Sequence, residues 1–200
     1  MIRKSYIALS LLLSVFSVAV RAESSDWATI LSNTLSSNCV KASFECRSGE
    51  TSLGRGMAVV DAPSYSVVTS ILEFWSDGQS RWSVDRVARE VYVEPSGMSF
   101  ESALEAFEVA SQGEAVFEGV DVNAVRMVCS DDDVAGVSTL TVYTDRKTKA
   151  VKGCLAELSS GTQLTFVFAG IEFCAKGSQG EGFAFDTAAL SDDYIVTDLR

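Results

Sequence analysis

Histidine is absent from all 200 residues of this chain. Ser-His-Asp and Cys-His nucleophile activation and every His-ligated zinc site are thereby excluded. Base is scarce too: 16 Lys and Arg stand against 27 Asp and Glu, a formal charge of −11. Such a chain repels phosphate backbones and anionic lipid surfaces, so nucleic acid is not an expected partner. Repeats, linkers and low-complexity stretches are missing as well. The one run of hydrophobic sequence long enough to attract notice lies at the very start, and it contains no cysteine.

That start reads as a secretory signal peptide, residues 1–22. Arg3 and Lys4 precede an almost unbroken apolar run from Tyr6 to Val20, and Val20-Arg21-Ala22 offers a cleavage site. An uncleaved anchor is the alternative, but the run falls short of the ~20 residues a bilayer needs. With no Cys at the cleavage point, the expectation is an exported, soluble protein that is not itself lipidated. Removing 22 residues leaves 178, enough for one domain with a real core. Three basic residues leave with the leader, so 13 then face 27 acids, a charge of −14.

Five cysteines in an exported chain suggest disulfides, yet the number is odd and the spacing gives no framework. Cys39 and Cys46 share one strand pattern and at about 3.3 Å per residue lie roughly 23 Å apart, too far to bridge. Any bridge joins different strands, Cys129, Cys154 and Cys174 being candidates. Buried free thiols are an equal alternative. The acids fall mainly in turns (Asp77, Asp145) or on the outward phase of strands (Glu45, Glu90, Glu94). Asp131-Asp132-Asp133 lacks the alternating spacing of a calcium loop. Gly54-Arg55-Gly56 opens no helix, so it is no phosphate cradle. No catalytic constellation and no cofactor or metal site emerges, and the chain does not read as an enzyme.

Alternation dominates the rest. Val40, Ala42, Phe44 and Cys46 alternate with Lys41, Ser43 and Glu45, one apolar face against one wet face. Short strands follow over Met57–Asp61, Tyr65–Ser70 and Ile71–Trp75, with Ala62-Pro63-Ser64 as a turn and Asp77-Gly78 as a hairpin signal. Trp82 and Val84, then Val91 and Val93, continue the pattern. Later strands are Ala124–Ser130, Val137–Thr144, Ala150–Leu158, Gln163–Phe173 and a closing Tyr194–Thr197. Two stripes have helical period: Trp27–Ser36, capped by Asp26, and Phe100–Ala110, where Phe100, Leu104 and Phe107 stand at i, i+4, i+7. The predicted fold is mainly β (α+β): one antiparallel incomplete barrel with both helices covering its open side. Composition alone favours a filled interior over a cavity.

The segment Phe74-Trp75-Ser76-Asp77-Gly78-Gln79-Ser80-Arg81-Trp82 resembles the "SDGK-x-x-W" hairpin of the LolA family of periplasmic lipoprotein carriers. Upstream, Val40-Lys41-Ala42-Ser43-Phe44 is similar to that family's "ASF" strand, and Gly54-x-Gly56 precedes Ala62-Pro63 at the matching distance. Downstream, Phe183-Ala184-Phe185-Asp186 and Tyr194-Ile195-Val196-Thr197-Asp198-Leu199-Arg200 look like its closing segment. The resemblance spans residues 23–200. It implies a soluble periplasmic monomer whose hydrophobic cavity carries lipoprotein acyl chains from an inner-membrane lipoprotein-releasing transporter to an outer-membrane acceptor. The missing lipidation Cys fits the soluble carrier better than the anchored acceptor, LolB. One departure stands out: many members place Arg before the proline to help lock the lid, and this chain has Ala62 after Asp61, so lid control does not carry over. On this reading the cavity wall or lid comprises Phe44, Met57, Val59, Trp75, Trp82, Val91, Leu104, Phe107, Met127, Phe166 and Phe168. Each would serve equally well as ordinary core. Rival readings are a sensor of the same fold, of the RseB type, and a structural protein with a filled core.

Overall fold

The computed structural model describes residues 37–96, 106–129, 136–179 and 182–200. Strands β1 (Asn38–Ser48), β2 (Thr51–Asp61), β3 (Ser64–Thr69), β4 (Leu72–Ser76), β5 (Ser80–Asp85) and β6 (Glu90–Pro95) form the first half. The second half is β7 (Phe107–Phe117), β8 (Val120–Cys129), β9 (Val137–Asp145), β10 (Val151–Leu158), β11 (Gln163–Ala175) and β12 (Ile195–Asp198). All twelve belong to one sheet, in the order β12-β6-β5-β4-β3-β2-β1-β11-β10-β9-β8-β7. Every neighbouring pair is antiparallel except β12 and β6, which run parallel. The sheet is not closed into a barrel, because β12 and β7 stand at opposite edges.

Short side-chain devices set the turns. The Asp77 carboxylate accepts from the backbone N–H of Gln79 (2.8 Å) and Ser80 (2.7 Å). Asp85 and Asp145 do the same for the residues two and three positions on. These are Asx turns, and they explain why the acids sit where the sequence puts them. In the β7–β8 hairpin, Glu118 and Gly119 both take positive φ (50° and 75°), the pairing of a type I′ turn.

Cα partners across antiparallel strands share a face, and the register therefore assigns every side chain. On the inner face Val40, Ala42 and Phe44 oppose Val60, Ala58 and Gly56. The row continues through Val67 and Phe74 on one side and through Phe166, Cys154 and Val142 on the other. These residues belong to one buried cluster spanning β1–β4 and β7–β11. Phe44 meets Phe166 edge-on at 5.6 Å between centroids. Gly56 makes room for that ring: a Cβ there would lie 2.6 Å from the tip of Phe44. Within the Gly54-Arg55-Gly56 triplet this is the role of Gly56.

Two expectations need correction. Helices on the open side are not seen among the described residues, whose helical content is Ser37 and a 3-10 turn at Thr187–Ala189. The helix expected at Trp27–Ser36 lies outside the described residues, as does most of the second. Phe107 to Ala110, however, open β7 rather than closing a helix, and Phe107 pairs with Cys129. Phe107 obeys both periods at once: it ends an i, i+4, i+7 stripe and begins an alternating one. Backbone pairing with β8 decides the matter for the strand. The disulfide does join different strands, but it links Cys39 of β1 to Cys174 of β11, with Cα atoms 4.8 Å apart. Cys46, Cys129 and Cys154 are buried and take part in no disulfide. Burial pushes the Cys46 thiol up to about 12 and the Cys154 thiol further in the same direction.

Candidate functional site: an apolar groove on the outer face

The apolar phase changes face in the middle of the sheet. Phe74 is inward, paired with Val67 and Ser83; its neighbour Trp75 is outward, paired with Ser66 and Trp82. In β5 and β6 the apolar phase is the outer one, with Trp82 opposite Val93 and Val84 opposite Val91. Strand β4 thus carries one core on each side. Two outer rows result. One runs Val59, Ser66, Trp75, Trp82, Val93; the other runs Met57, Val68, Glu73, Val84, Val91.

The C-terminal segment crosses these rows. It is fastened at its start where the Asp61 carboxylate accepts from the Gly177 N–H at 2.9 Å and Lys176 donates to the Ala62 carbonyl. It then lays Phe185, Leu190 and Tyr194 against Trp82, Val84, Val91 and Val93, with Phe185 and Trp75 at 6.0 Å between centroids. It ends as β12, alongside β6. A half-buried polar chain holds the middle. Arg86 donates to Glu73 at 2.6 Å and to the Tyr194 hydroxyl at 3.4 Å, while the Trp75 indole N–H donates to Glu73 at 3.0 Å. Hydrogen bonding to Glu73, then to Tyr194, raises the Arg86 pKa and keeps its charge fixed. A buried carboxylate needs such partners.

The described residues of the segment leave part of the outer rows uncovered. There a groove of about 280 Å³ is lined by Met57, Val59, Ser66, Val68, Trp75, Gln179, Gly182 and Phe183. Its size falls just under the ~300–1,000 Å³ common for small-molecule sites. Among the described residues no titratable side chain lines it. Met57 is 56% exposed, unusual for so apolar a side chain on a strand. Because the Trp75 N–H is already engaged by Glu73, its ring offers the groove apolar surface only.

The residues expected to form one cavity therefore divide. Phe44, Phe107, Met127 and Phe166 are buried in the inner cluster, with Phe168 half-buried against it. Met57, Val59 and Trp75 meet in the outer groove, whereas Trp82 and Val91 lie under the C-terminal segment. Leu104 lies outside the described residues. Ser66, Val68, Gln179 and Phe183 were not anticipated. Val68 and Ser66 were legible in part, since they alternate within a strand the sequence does show. The arrival of Phe183 depends on a long-range crossing that no local pattern announces. Among the described residues no group of three or more Cys, Asp or Glu is placed to hold a metal ion, and no helix is long and apolar enough to cross a membrane.

No family model matches the sequence, and no curated protein matches it either. Solved structures do. An uncharacterised conserved protein of Thermus thermophilus is similar at 10% identity, covering 96% of this chain and 98% of that one, with a TM-score of 0.49. A LolA superfamily protein of Nitrosomonas europaea is similar at 8% identity over 82% of this chain and 92% of that one, TM-score 0.36. The MucA/MucB complex of Pseudomonas aeruginosa is similar at 14% identity over 82% and 62%, TM-score 0.38. LolA superfamily proteins, the group the sequence resembles, are thus among its structural neighbours. At such identities, with TM-scores below 0.5, the likenesses carry no argument about ligand or partner.

Proposed function

We propose that this protein is a soluble periplasmic carrier that binds the acyl chains of lipoproteins and delivers them to the outer membrane. The groove carries this reading: an open, apolar, uncharged trough beside an exposed methionine suits a hydrocarbon chain and little else. Each methylene buried there contributes about 0.8 kcal/mol. Methionine is the side chain best able to reshape around such a guest. No catalytic group is required, and the chain is read as a non-enzyme. An apolar leader without a lipidation cysteine supports export as a free protein. A releasing transporter in the inner membrane and an acceptor in the outer membrane are the partners this role needs.

The close packing of Phe44, Met127 and Phe166 favours a second reading, a structural protein with a filled core. Brominated acyl chains distinguish the two. A carrier that uses the groove shows quenching of Trp75 emission, lost in Trp75→Phe. Absence of quenching with intact fold overturns the carrier reading and leaves the filled-core one.

A further inference from the structure

The groove contains one polar group whose situation differs from the rest. Ser66 is only 7% exposed, yet its side chain lines the groove between Val59 and Trp75. Its hydroxyl has no hydrogen-bond partner among the described residues. Among the described residues the fully enclosed unbonded polar atoms are Arg81 Nε and Ser83 Oγ, so the Ser66 hydroxyl keeps access to the groove, where a partner can reach it. The second polar lining residue, Gln179, is also neutral, and its amide donates to Ser178 at 3.1 Å. Among the described residues no cation lines the groove. Glu73, which accepts from the Trp75 indole, is paired with Arg86 at 2.6 Å and so brings no uncompensated charge.

We infer that Ser66 binds the carbonyl oxygen at the head of an acyl chain, and that the groove selects neutral ester or amide heads over free carboxylates. The inference rests on the carrier reading and names what that site recognises. A hydroxyl donor suits an ester or amide carbonyl, which needs no counter-ion. A carboxylate entering the same place would be desolvated beside apolar walls without a cation, in a chain of net charge −11. Selection is therefore written into what the groove omits as much as into Ser66.

The test compares four probes on the full mature chain at about pH 8, where a fatty acid is ionised. They are monopalmitoylglycerol, palmitoyl ethanolamide, the hexadecyl ether of glycerol (which lacks the carbonyl) and palmitate. Ester and amide should bind about 3- to 10-fold more tightly than the ether, the size of one neutral hydrogen bond, with palmitate weakest. Ser66→Ala should erase the ester–ether difference, and Ser66→Thr, which keeps a hydroxyl, should restore it. Equal binding of ester and ether by the unmodified protein, or palmitate binding as tightly as the ester, overturns the inference while the carrier reading stands. If none of the four binds, the carrier reading itself falls.

Discussion

Phe166→Ala and Met57→Ala, made separately, distinguish the two faces of the sheet. Phe166 is fully buried, opposite both Cys46 and Cys154 and edge-on to Phe44. Truncating it removes a large ring from a site that strands on both sides hold rigid, which costs about 3–5 kcal/mol in lost transfer energy and cavity. At about 2–4 °C per kcal/mol for a domain of this size, the melting temperature should fall by roughly 6–20 °C. Met57 keeps 56% of its surface in solvent, so less than half of its apolar area is at stake. Its loss should cost about 1 kcal/mol or less. Thermal melts by circular dichroism, run alongside binding of a fluorescent acyl probe, read both effects. Phe166→Ala should melt early while its folded fraction still binds the probe, and Met57→Ala should melt normally and bind weakly. A stable Phe166→Ala variant that no longer binds would refute the assignment, since it would make the inner face the acyl site.

Cys39→Ser should lower stability by about 2–4 kcal/mol, because the bridge closes a loop of sequence separation 135; melts with and without reductant on the unmodified protein give the same difference. Thiol titration should find three reactive thiols in the denatured, unreduced chain, those outside the disulfide, and almost none while it is folded. Stability should fall as pH rises from about 9.0 toward 12: the folded state holds the Cys46 thiol proton up to about 12, while the unfolded chain releases it from 9.0. The unfolded state then binds fewer protons, which gives unfolding free energy a negative slope with pH; a Cys46→Ala variant should lose part of that slope. Glu73→Ala leaves Arg86 and the Trp75 N–H without their shared partner, so the C-terminal segment should be cut sooner by protease and Trp75 emission should shift.

How much of this was legible in the sequence depends on whether one phase or two are apolar. In β1 the alternation of Val40, Ala42, Phe44 and Cys46 against Lys41, Ser43 and Glu45 leaves one assignment, and the structure adopts it. The Asp77-Gly78 hairpin and the turn after Asp145 were equally plain, because their geometry is carried by the residues that form them. Strand β4 is different. Phe74 and Trp75 are adjacent and both large, so alternation cannot say which points inward, and every residue beyond them inherits the ambiguity. The inner face of β5 and β6 is in fact the polar one, with Ser83 against Tyr92 and Arg81 against Glu94 at 2.6 Å. An apolar stripe that changes sides needs a second cover, and here the C-terminal segment provides it.

The same physics explains what else escaped notice. Strand β7 has Gly113 at its middle and wet residues on both phases, so it lacks the contrast that marks a strand with one buried face. Its Glu118-Gly119 turn was the available signal. The pairing of β1 with β11, which brings Cys39 to Cys174, is set by sheet order, and sheet order is invisible to any window of local sequence. The groove joins both kinds of information. Met57, Val59 and Trp75 are strand residues whose phase the register fixes, whereas Gln179, Gly182 and Phe183 come from a segment held in place by Asp61 and by the Glu73–Arg86–Tyr194 chain. A site built where a sheet changes its apolar face, and where a distant strap stops short of covering it, can be read from sequence only in its strand half. That half supplies the walls; the strap decides how much of them stays open.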